Sequence, residues 1–90
     1  MTLNGRAAVL TKPFKFELRE YPVPKVEFGG ILIEVSASAI CGSDLHAWRG
    51  ERKSKGGVIL GHELTGKIHT LGDGVSTDYL GQKLSIGDRV

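Results

Sequence analysis

Apolar and polar residues alternate from Phe14 to Leu18, where Phe14, Phe16 and Leu18 flank the charged Lys15 and Glu17, and this two-residue period predicts a half-buried strand. The apolar run from Arg6 to Leu10 precedes it across Lys12-Pro13 and predicts a second antiparallel strand. Pro22 and Pro24 have no N–H to give a ladder, so Tyr21 to Lys25 reads as an extended connector into a Gly29-Gly30 turn. From Ile31 to Ala37 the pattern is a strand with Ile31, Ile33 and Val35 on one face and Leu32 on the other, which predicts cover on both sides. Ser43 and Asp44 are N-cap residue types, and Leu45, Ala47 and Trp48 follow at helical spacing, so a short helix of about two turns is expected to end at Gly50. Glu51 to Gly57 is polar and predicts a mobile loop. Val58 to Leu60 then leads through Gly61-His62-Glu63 into a strand from Leu64 to Leu71, inside which Gly66 predicts a bulge or a close backbone approach. Turns follow at Gly72-Asp73-Gly74 and Gly87-Asp88, and Arg89-Val90 reads as the opening of a further strand, so the domain is expected to continue past Val90. Short strands between such turns predict a mostly β domain, a Greek-key barrel or sandwich with one short helix after Cys41.

Composition narrows the class without changing this picture. Ninety residues, 40% apolar and 24% charged with 13 glycines, suit one small core and many turns. A net charge of +2 is too small for a nucleic-acid footprint, and the densest basic stretch, Arg49 to Lys55, contains Glu51 and no interleaved aromatic. Apolar runs such as Ile31-Leu32-Ile33 are broken by charge within a few residues, so neither a membrane span nor a signal peptide is expected, and the chain is placed in the cytoplasm. A single cysteine forms no intramolecular disulfide and leaves Cys41 free as thiol, thiolate or ligand. An unfinished barrel would expose a sheet edge, which favours self-association or partial disorder.

The candidate chemistry sits in two short segments, Cys41-Gly42-Ser43-Asp44-Leu45-His46 and Gly61-His62-Glu63. A lone cysteine is most often a small buried hydrophobe. Here Gly42 lets the chain turn beside the sulfur, and the helix start that follows supplies N–H groups that favour a thiolate. His62 lies twenty-one residues after Cys41, ample for a loop to bring it back beside the sulfur. Glu63 offers a carboxylate either as an outer partner or as an alternative ligand. Asp44 can cap the helix, hold the second ring nitrogen of His62, or do both. Ser43 and His46, one helical turn apart, can share a face on which a hydroxyl and an imidazole would relay a proton; separately they read as an N-cap and an exposed helical histidine. His69, at same-face spacing from Lys67, reads as solvent-facing.

These segments, with Gly61-His62-Glu63-Leu64-Thr65-Gly66 and Gly87-Asp88-Arg89-Val90 in order, resemble the N-terminal, GroES-like catalytic domain of the zinc-dependent medium-chain alcohol dehydrogenase family. The resemblance runs the length of the chain and takes in the Arg6-Ala7-Ala8-Val9 and Gly30-Ile31-Leu32-Ile33-Glu34-Val35 strands, so residues 1–90 are expected to form part of that domain. It implies an enzyme that oxidises an alcohol or polyol to a carbonyl with zinc and NAD or NADP. By the same resemblance Cys41 and His62 would bind the metal and Glu63 would be a neighbouring or transient ligand. Asp44 would hold His62, Ser43 would take the substrate proton, and His46 would pass it to solvent. Leu45 and Trp48 would shape the pocket mouth, and His46-Ala47-Trp48 looks like the stretch found in polyol, threonine or phosphonate-pathway dehydrogenases.

The family often carries a proline where this chain has Gly57, a departure expected to loosen the approach of His62. The family's third zinc ligand, structural zinc lobe and Rossmann domain are expected beyond the equivalent of Val90. No Gly-x-Gly-x-x-Gly follows a strand here, so these residues alone are expected to be inactive. The full-length parent is expected to be a homo-oligomer. A co-chaperonin of the same fold would form a ring and have no use for Cys41, Ser43, His46 and His62. Zinc-free quinone or enoyl reductases of the superfamily generally lack the Cys and Gly-His-Glu pair.

Overall fold

A computed structural model describes residues 3–52 and 57–90. Its elements are β1 (Asn4–Lys12), β2 (Lys15–Pro22), β3 (Ile31–Ser38), α1 (Gly42–Trp48), β4 (Val58–Ile59) and β5 (Leu64–Leu71). The mostly β class and the short helix after Cys41 are as the sequence predicts. The chain divides into two compact units, drawn from Met1–Val23 with Ala39–Glu63 and from Pro24–Ser38 with Leu64–Val90.

In the first unit β1 is the central strand of an open sheet ordered β2-β1-β4. Central placement buries Val9 and Leu10, which pair with Ile59 and Val58 of β4. The strand β2 runs further than expected, because Pro22 pairs with Asn4 at the end of an edge strand, where a missing N–H leaves no ladder bond unmade. As an edge strand it is exposed along its whole length rather than half-buried. Phe14 is not in that strand: it occupies the turn with Pro13 at φ 66°, a backbone conformation costly for a bulky side chain. The surroundings hold it there, since its N–H donates to the Trp48 carbonyl (2.8 Å) and its ring meets the Trp48 ring edge-on at 4.8 Å.

In the second unit β3 and β5 pair antiparallel, with register shifts on either side of the Ile33–Val35 stretch. A Cβ at Gly66 would stand 2.2 Å from the Glu34 carbonyl oxygen, so the close approach expected at this glycine is present. Pairing with β5 leaves Ile31 and Val35 exposed rather than covered on both sides, while Ile68 is the buried centre of this unit. Arg89 bridges to Lys67, and Gly66 and Val90 exchange backbone hydrogen bonds, so the chain after the Gly87-Asp88 turn does pair as a strand would. His69 and Lys67 are exposed, as their spacing implies.

Candidate metal centre

Seven residues make a marginal helix in isolation, so α1 depends on its ends and its contacts. Its N-cap is Cys41, not Ser43 or Asp44. Asp44 occupies the third helical position and its Oδ2 accepts the Cys41 N–H at 3.1 Å, so it closes the first turn from inside the helix. Ala47 is the buried residue of the helix, and Trp48 is fastened to the Phe14 turn.

The second motif is brought alongside by backbone. The Ala39 N–H donates to the Glu63 carbonyl at 2.8 Å, which ties the segment entering Cys41 to the segment carrying His62. Upstream, Gly57 is tied to β1. Its N–H donates to the Leu10 carbonyl at 2.9 Å and its φ is 72°, and a proline could supply neither that donor nor that angle. Most of the expected mobile loop between Glu51 and Gly57 lies outside the described residues.

The result is that one ligand atom each from Cys41, His62 and Glu63 lie within 4.8 Å of one another. A tetrahedral zinc with bonds of about 2.0–2.3 Å sets its ligands roughly 3.5 Å apart, so small side-chain movements bring this set into range. Thiolate, imidazole and carboxylate are also the donor types zinc takes, so the residues fit the metal. His62 has a carboxylate on each side: Nε2 is 3.8 Å from Glu63 Oε2, and Nδ1 is 3.7 Å from Asp44 Oδ1. Asp44 is 14% exposed against 54% for His62, which makes it the shielded partner behind the ring. Its two oxygens therefore face Cys41 and His62, one each.

Ser43 lies half-buried one turn before His46 on α1, and His46 is exposed. His46 Nδ1 is hydrogen-bonded to Glu51 Oε2. That bond, above all, holds the Glu51 carboxyl below its ordinary value, with the nearby charges of His46 and Arg49 adding to it. Glu51 was not among the site residues expected from sequence. The available signal was Gly50 as a helix C-terminator, which places the next residue over the last turn.

Residues 27–90 match the family described as Alcohol dehydrogenase GroES-like domain. Over 73 residues, 80% of this chain, it is 41% identical to Zinc-type alcohol dehydrogenase B of Aspergillus flavus, covering 17% of that protein. It is 42% identical over 87 residues, 96% of the chain and 24% of the relative, to 5-exo-hydroxycamphor dehydrogenase of Pseudomonas putida. Glutathione-independent formaldehyde dehydrogenase of Pseudomonas aeruginosa is 35% identical over 90 residues, 92% of the chain and 23% of the relative. The chain thus spans a quarter or less of the length of these relatives. No solved structure matches it significantly. With the family match covering more than half of the residues and the motif order agreeing, the chain belongs to the alcohol dehydrogenase GroES-like domain family.

Proposed function

We propose that this chain supplies the metal-holding and proton-handling part of the catalytic centre of a zinc-dependent, NAD(P)-linked alcohol or polyol dehydrogenase. The observation that carries this reading is the convergence of Cys41, His62 and Glu63 with Asp44 behind them. Polarisation of the alcohol oxygen is the chemistry zinc supplies when bound. Cys41 and His62 would hold the metal, and Glu63 is close enough to stand in as a further ligand. Asp44, whose Oδ1 lies 3.7 Å from His62 Nδ1, would favour a proton on that nitrogen and leave Nε2 for the metal. Ser43 Oγ would take the proton of the substrate hydroxyl as its own passes to the His46 imidazole, and His46, exposed at its ring, would release a proton to water.

Hydride acceptance is the chemistry of NAD or NADP, whose binding is assigned outside these ninety residues because no Gly-x-Gly-x-x-Gly follows a strand here. Turnover is accordingly assigned to a longer enzyme, a reading supported by the length of the relatives, and that enzyme is assigned to the cytoplasm as a homo-oligomer. Among the described residues no helix is long and apolar enough to cross a membrane.

Zinc titration by calorimetry on the wild-type chain and on Cys41→Ser tests the assignment. The wild type is expected to take up one zinc and Cys41→Ser to bind at least tenfold more weakly. Equal binding by the two would remove Cys41 from the site.

A further inference from the structure

We propose that Glu51 positions His46, gripping the ring at Nδ1 so that Nε2 is the nitrogen left to exchange a proton. The grip is built into the end of α1. The Glu51 N–H donates to the His46 carbonyl (3.0 Å) and the Gly50 N–H to the Ala47 carbonyl (3.1 Å), the paired bonds of a Schellman ending. Gly50 provides the left-handed residue this ending needs, at φ 79°. In such an ending the residue after the glycine is set over the last turn of the helix, and the side chains meeting there are commonly apolar. Here the two are a carboxylate and an imidazole, bonded Oε2 to Nδ1.

A carboxylate only accepts, so the shared proton belongs to Nδ1 and the neutral ring presents Nε2 as its acceptor. The pair is half-exposed on both sides, so its contribution to stability is small, and what it supplies is orientation and tautomer. Arg49, the helix C-cap, is a cation acting on Glu51. The Schellman ending packs against the β1–β2 turn, because a Cβ at Gly50 would stand 2.7 Å from Pro13 Cγ. The functional weight of this arrangement rests on reading His46 as the outer member of the proton path.

Long-range proton–nitrogen correlation spectra of the 15N-labelled full chain, recorded where His46 is neutral, read the tautomer directly. In the wild type the His46 proton is expected on Nδ1. Glu51→Ala should move it to Nε2, the form an isolated imidazole favours, while Glu51→Gln, whose amide oxygen still accepts, should keep it on Nδ1. An Nε2 proton in the wild type, or an unchanged tautomer in Glu51→Ala, would overturn the proposal. Zinc titration of wild type and Cys41→Ser is read separately. Failure there would strike the metal assignment, while the tautomer would still decide the role of Glu51.

Discussion

Asp44 meets two demands with one carboxylate: Oδ2 holds the Cys41 N–H at 3.1 Å and Oδ1 faces His62 Nδ1 at 3.7 Å. The two can be separated by substitution. Asp44→Asn keeps an oxygen for the Cys41 N–H but loses the charge behind His62, so the helix should survive while zinc affinity falls about 10- to 100-fold. Asp44→Ala loses both and should in addition destabilise the fold by about 1 kcal/mol, the usual scale of a lost helix cap. Calorimetric titration and urea unfolding distinguish the two effects. Zinc binding in Asp44→Asn equal to wild type would show that the carboxylate serves the helix alone. Both jobs, alone or together, were legible in the sequence; the placement of His62 Nδ1 3.7 Å from Oδ1, while Oδ2 accepts the Cys41 N–H, required the fold.

At the scale of elements, helix α1 is held by what surrounds it more than by its own seven residues. The Pro13-Phe14 turn grips Trp48, the Schellman ending carries Glu51, and Ala47 is buried. The β3–β5 pair depends on one small residue in a comparable way. Gly66→Ala would set a methyl group 2.2 Å from the Glu34 carbonyl oxygen and 2.9 Å from Ile33 Cγ2, both on the partner strand. Relief requires backbone movement, and the expected loss is about 1–3 kcal/mol, read as a lower midpoint in urea unfolding. Gly5→Ala is the control, because a Cβ there meets nothing within 4 Å. Equal midpoints for Gly66→Ala and wild type would show that the bulge opens freely. The glycine's role was readable from its place inside an apolar strand, whereas the turn position of Phe14 was not, because its apolar side chain continues the alternation of β2.

For the whole molecule, both sheets are open, and β3 presents Ile31 and Val35 at appreciable exposure. Such a strand is a template for pairing, so we expect the mass by light scattering to rise with protein concentration. Val35→Lys, which adds a charge to that strand, should reduce the rise; a constant monomer mass over the range would count against edge pairing. What the sequence determined by itself was the local chemistry: the presence of the main strands and the short helix, the close approach at Gly66, and the residue types Cys41, Asp44, His62 and Glu63 in the order of the family. These follow from short-range sterics and donor chemistry, which are properties of neighbours in the chain. Only the tertiary structure decided which of these residues meet. The Ala39–Glu63 backbone bond sets the two motifs side by side, and the Gly57–Leu10 bond fastens the path to His62. The ending of α1 turns Glu51 from a loop charge into the partner of His46. Each depends on hydrogen bonds that fix chain direction, and hydropathy along a sequence does not record where a backbone N–H will find its acceptor.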